Sequence, residues 1–228
     1  VANLNSFGFG SATTINTTAA LELNGTNNKS NIRLWVHATF GELSGTGGKI
    51  IAWGRTLTID QDTNTEYAGL LANAGGGGNK LSLTKDGTGS LTLSGASTYS
   101  GGTTLNTGTL VAANNSALGT GTLTLNGGTL DGGIGVTLAN NIIASGTTTM
   151  VNQVQGNFAL TGSISGAGTL NFGGSDSASG FYNISGTDLS SFTGTISHNN
   201  VNGTHQLIMG QNGTVNAAQA SLETTGST

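Results

Sequence analysis

A chain of 228 residues with 40 glycines, no proline, no cysteine and only 7% charged residues departs from the roughly 25% charged of an average globular protein. It has no disulfide framework. All six basic residues, Lys29, Arg33, Lys49, Arg55, Lys80 and Lys85, precede residue 86, so the long C-terminal part brings no cation to phosphates, which argues against nucleic acid and anionic membranes as partners.

Taken in chain order, residues 1–10 lack the basic start and apolar run of a signal peptide, so a mature chain or a fragment is expected. No apolar run approaches the roughly 20 residues of a spanning helix, and membrane insertion of this segment is not expected. Residues 1–80 hold both tryptophans and strand candidates such as 32–37. They read as irregular first coils or an N-terminal cap, which would protect the unpaired backbone at the end of a stacked fold.

This part also carries the candidate sites. Asp60, Asp62, Asn64 and Glu66 alternate along 60–66 and would share one face of an extended segment, giving oxygen ligands for calcium. The spacing fails the EF-hand pattern, since Thr65 stands where glycine is needed and Leu71 where the bidentate Glu belongs. Asp60, Asp62 and Glu66 are also the densest acidic cluster for sugar hydrolysis, which needs two carboxylates about one bond; a solvated loop or outward face is the simpler reading. Trp35, Trp53 and Tyr67 are the candidate sugar platforms, although their alternation with Leu, Val and Ile favours packing in the core or cap. Gly75, Gly76, Gly77 and Gly78 are not followed by the Lys-Ser/Thr of a phosphate loop and read as an excursion. His37, His198 and His205 lack the spacing of a zinc site, and no Gly-x-Ser-x-Gly element is present.

From residue 81 short apolar alternations are bounded by Gly, Asn, Asp or Ser, and no stretch keeps a helical period. The fold class is all-β. A Gly-Ser/Thr-Leu unit recurs with leucines at 91, 110 and 130, spaced 19 and 20 apart, and a Thr-Gly-Ser/Thr-Ile-Ser unit at 161–165 returns 32 residues later at 193–197. One such unit per coil predicts a β-solenoid over 81–228, with like residues stacked at about 4.8 Å. Glycine serves the corners, and absent proline suits strands paired on both sides. Thr-x-Thr pairs such as Thr56 with Thr58 and Thr122 with Thr124 do not return at one coil spacing, which argues against flat threonine ranks.

Residues 81–130 carry a Lys-x-Gly-x-Gly-x-Leu-x-Leu-x-Gly segment through Lys85, Gly87, Gly89, Leu91, Leu93 and Gly95. Tyr99 and the run Gly101, Gly102, Thr103, Thr104 follow, then Gly108 with Leu110, then Ala117, Leu118 and Gly119. This segment resembles the autotransporter-associated β-strand repeat of bacterial passenger regions. The resemblance implies a right-handed parallel β-helix, secreted or at the cell surface of a Gram-negative-type bacterium, with the repeat assisting secretion and folding. A terminal membrane barrel is not recognisable after residue 210, which implies a fragment, a processed passenger or another export route.

The expected function is therefore structural: a stalk or adhesin segment without catalytic residues or cofactor, calcium being the one weak candidate. The alternatives are a filament subunit stacking end to end through its coil ends, and a carbohydrate-binding or polysaccharide-degrading β-helix. Host or matrix surface glycans are the expected external partners.

Overall fold

A computed structural model describes residues 14–24, 31–75, 77–152, 156–173, 180–200, 206–209 and 221–226. The chain winds as successive coils. The first two coils contain β1 (Thr14–Glu22) with β2 (Asn31–Leu34), then β3 (His37–Ser44) with β4 (Lys49–Ala52). The third has β5 (Thr56–Asp60), β6 (Thr65–Tyr67) and β7 (Leu70–Asn73). Two coils with fewer strands follow, β8 (Ser82–Asp86) with β9 (Ser90–Leu93), and β10 (Thr103–Leu105) with β11 (Thr109–Ala112). Three-stranded coils then resume as β12 (Leu123–Leu125), β13 (Thr129–Gly132), β14 (Thr137–Leu138) and β15 (Ile142–Ala144), β16 (Thr147–Val151), β17 (Gly156–Leu160). The last are β18 (Ile164–Gly166), β19 (Thr169–Phe172), β20 (Gly180–Asn183) and β21 (Ser191–Phe192), β22 (Thr195–Asn200), β23 (Gln206–Ile208), before β24 (Ser221–Gly226).

These strands stack into parallel sheets. A 9-stranded sheet runs β1-β3-β5-β8-β10-β12-β15-β18-β21, and an 8-stranded sheet runs from β6 through β9, β11, β13, β16, β19 and β22 to β24. The third side is divided between a 3-stranded sheet, β2-β4-β7, and a 4-stranded sheet, β14-β17-β20-β23. The result is an all-β parallel solenoid, as the coil-length repeat predicts. The larger sheet crosses residue 80 without a break, since β5 pairs with β8 from Thr56↔Ser82 to Asp60↔Asp86.

Period-two alternation places one apolar row inside and one polar row outside each sheet. Leu91, Leu110 and Leu130 pair in register and are fully buried, so the Gly-Ser/Thr-Leu spacing marks one column of the core. The other repeat behaves differently. Ile164 pairs with Ile142 in the 9-stranded sheet, whereas Ile196 pairs with Leu170 in the 8-stranded one, so 161–165 and 193–197 occupy different faces and do not stack. Their likeness reflects a shared local need, a glycine turn before an inward aliphatic.

The threonines also differ from the sequence expectation. Thr39, Thr58, Thr84, Thr104 and Thr124 pair in succession on the outer face of the 9-stranded sheet, and Ile143 ends the rank. Their unequal sequence spacing is taken up in the connections between coils, so strand register survives where loop length does not.

Between β7 and β14 the third side has no strand, and segments 94–102 and 113–122 close the coils. Side chains supply bonds that a ladder would make. Asn73 Oδ1 accepts from the amides of Leu81 at 2.9 Å and Ser100 at 3.1 Å, while its Nδ2 donates to Ser100 Oγ. Asn140 Nδ2 donates to the carbonyls of Gly119 and Gly121 at 3.2 and 2.7 Å. Tyr99 fills the interior beneath these segments, its hydroxyl 2.6 Å from Thr103 Oγ1, which in turn donates to the Leu118 carbonyl. Burial pushes the phenol pKa of Tyr99 upward, with the Thr103 contact opposing it.

Candidate functional site

The repeat segment is built about a corner between the two large sheets. Leu83 and Lys85 are the inward positions of β8. In its column Lys85 stands between Ile59 and Leu105, and it is fully buried. A lysine amid aliphatics is costly unless its ammonium is satisfied. Here Lys85 Nζ bends into the following turn and donates to the carbonyls of Asp86 and, at 3.0 Å, Gly87.

That turn depends on close backbone approach. Gly87 has φ 74° and Gly108, one coil on, has φ 68°, the left-handed region open to glycine at little cost. A Cβ on Gly108 would lie 2.4 Å from the Gly87 carbonyl oxygen and 2.9 Å from Lys85 Nζ. The lysine and glycines of the repeat are thus one packing unit: the ammonium binds the turn from inside and the next turn seals it from above.

The acidic cluster surrounds this unit. Burial lowers the Lys85 pKa, and the charges of Asp86, Asp60 and Asp62 oppose that shift. Asp62 Oδ1 accepts from the Thr88 amide at 2.9 Å and the Thr88 hydroxyl at 2.8 Å; these bonds, aided by the Lys85 charge, hold its carboxyl below the usual range. Asn64 Oδ1 accepts from the Ser90 amide at 2.9 Å, and Glu66 Oε1 from the Ser94 hydroxyl at 2.7 Å. Asp60 is exposed at the end of β5. Three of the four calcium candidates therefore bond the next coil. Among the described residues no group of three or more His, Cys, Asp or Glu is placed to hold a metal ion. Excess EDTA is expected to leave the thermal midpoint of the purified chain unchanged; a fall reversed by calcium in the wild type and absent in an Asp60→Asn, Asp62→Asn variant would identify a site in 60–66.

Gln61 is the residue of this corner that local polarity conceals. It is fully buried, and its Nε2 donates to Thr63 O, Thr65 Oγ1 and Ser90 O at 3.0, 3.0 and 2.7 Å. Asp86, Asn106 and Asn126 continue the corner as a side-chain ladder, with links of 2.8 Å from Asn106 Nδ2 to Asp86 Oδ1 and from Asn126 Nδ2 to Asn106 Oδ1.

The three aromatic candidates separate. Tyr67 is fully buried, with its hydroxyl without a hydrogen-bond partner, and its ring lies so close to Gly69 that a Cβ there would meet Cζ and the hydroxyl at 2.3 Å. Trp35 and Trp53 lie together at the outer end of β2 and β4, stacked with ring centroids 4.1 Å apart and planes 10° from parallel. Trp35 is 50% exposed rather than packed in a core or cap. Alternation accounts for it: Ile32, Leu34 and Val36 take the inward positions, which turns Arg33 and Trp35 outward. His37 accepts at Nδ1 from the Thr56 amide. His205, Gly76 and both chain ends lie outside the described residues, as do 210–215 of the stretch 207–215 that reads as a strand, whose start falls in β23.

The passenger-associated-transport-repeat family matches residues 83–112. No curated protein and no solved structure gives a significant match. The matched segment starts within β8 and ends with β11, taking in Lys85, the glycine turns and the buried Tyr99. The match to a passenger-associated-transport-repeat at 83–112, set within a parallel β-solenoid, fits the repeat region of an autotransporter passenger.

Proposed function

We propose that the chain is a structural segment of an exported bacterial passenger, a stiff rod held at the cell surface, and that its transport repeat assists export by closing early into a stable pair of coils. The observation that carries this reading is the corner at Lys85, where one turn is bonded from within and capped by the next, so that the repeat gathers several contacts over a short span of chain. Such local contacts form with little loop-closure cost, and in a stack of coils a formed pair templates its neighbours.

The test uses the chain fused ahead of an outer-membrane barrel, with residues 83–102 excised so that Ser82 joins Thr103 and the coil register is kept. Surface display is expected to fall several-fold while the purified variant, refolded from urea, still gives a β-rich circular dichroism spectrum. Undiminished display would remove the export role.

A further inference from the structure

We infer that the outer face of the β2-β4-β7 sheet is a binding site for an acidic polysaccharide, one whose sugars carry carboxylate or sulfate groups. This goes beyond the structural role above and does not depend on it. The face combines two features. The first is the Trp35–Trp53 stack, half exposed at Trp35, across adjacent coils whose inward positions are already filled by Leu34, Val36 and Ala52. The stacked indoles cover part of each other and leave half of Trp35 as apolar surface outside the core, where such surface is otherwise a liability.

The second is charge. Outward positions of β2 and β4 carry Arg33 and Lys49, and Arg55 follows Trp53. Arg55 Nε donates to the Trp35 carbonyl at 2.8 Å and Nη1 to that of Gly54 at 3.3 Å, which fixes a guanidinium beside the indole pair. Arg33, an outward position of β2, pairs in register with Ile51 and stands two residues before Trp35 in the chain, both of them exposed. In a chain of net charge −4 with no lysine or arginine after residue 85, this concentration of cations complements an anionic ligand. The faces of sugar rings present C–H groups to an indole, and guanidinium engages carboxylate or sulfate in a bidentate manner. A single-stranded nucleic acid would use the same two features, and it serves as the competing outcome.

The experiment titrates the full chain with polygalacturonate, following tryptophan fluorescence and binding heat, with neutral dextran and an oligothymidylate as comparison ligands. Polygalacturonate is expected to bind at low salt, to weaken as salt rises, and to exceed both other ligands. Trp35→Ala and, separately, Arg33→Gln are each expected to weaken it about tenfold, equivalent to about 1.4 kcal/mol. Both positions point outward, and Arg33→Gln keeps the site testable should Trp35→Ala disturb the coil. No polygalacturonate binding, equal binding of dextran, preference for oligothymidylate, or unchanged affinity in Arg33→Gln would each overturn the assignment.

Discussion

Gly89→Ala is expected to destabilise the chain by about 3 kcal/mol or more, while Gly77→Ala, on the excursion that precedes β8, changes stability by no more than about 1 kcal/mol. At Gly89 a Cβ would stand 2.1 Å from the Thr63 carbonyl oxygen and 2.6 Å from the Asp62 carbonyl carbon and Thr63 nitrogen. Those are backbone atoms of the coil below, and the Gly89 amide already donates to the Gln61 carbonyl at 2.9 Å. No rotamer can relieve the clash; two coils must separate, and their ladders with them. Nothing lies within 4 Å of the same atom built on Gly77, so there the methyl acts chiefly by narrowing the unfolded ensemble, a small stabilising effect. Urea unfolding separates the cases through the midpoint at constant slope. Equal midpoints would mean that coils are not stacked through the backbone at the repeat.

Lys85→Glu is expected to cost about 3–5 kcal/mol, and Lys85→Met to change stability by less than about 1.5 kcal/mol. The glutamate would bury a carboxylate among Asp60, Asp62 and Asp86, whose charges now favour the ammonium. The methionine fills a comparable volume in the aliphatic column between Ile59 and Leu105 and needs no hydrogen bonds.

The pH dependence distinguishes burial of charge from mere packing. The native Lys85 pKa lies below its ordinary 10.5, chiefly through burial. In the window between the lowered value and 10.5 the unfolded chain holds more protons at this site, so its contribution makes stability rise with pH there. Tyr67 and Tyr99, whose phenol pKa values burial raises, work the other way only above the ordinary 10.0. A gain in unfolding free energy toward pH 10 is therefore expected in the wild type and lost in Lys85→Met; a gain that persists in the methionine variant would place its origin elsewhere.

Much of this fold was legible because solenoids repeat their local demands. Leu91, Leu110 and Leu130 are evenly spaced and do form one column. The repeat of 161–165 at 193–197 misled, because a glycine followed by an inward aliphatic is required on every face and carries no label for which. The threonine rank was hidden for the opposite reason: unequal connections between coils disguise equal positions within the sheet. At the candidate site nothing in the sequence marks Lys85 or Gln61 as inward, yet both are buried, since partners in neighbouring turns and coils satisfy their polar atoms. For the tryptophans, neighbouring aliphatics suggested a core, although strict alternation already turns Trp35 outward.

The gap in the third side has a mechanical consequence. Strand ladders in a solenoid lie along the rod, so each sheet resists stretching as a row of hydrogen bonds loaded together. Two of the three rows run on through β8 to β11, while the third is bridged there by Asn73 and Asn140 and by single links such as Thr120 N to Tyr99 O at 2.8 Å. A beam with one compliant edge flexes about that edge before it breaks. Under a sideways load the solenoid is therefore expected to bend most easily at the repeat, about the side that lacks a strand ladder.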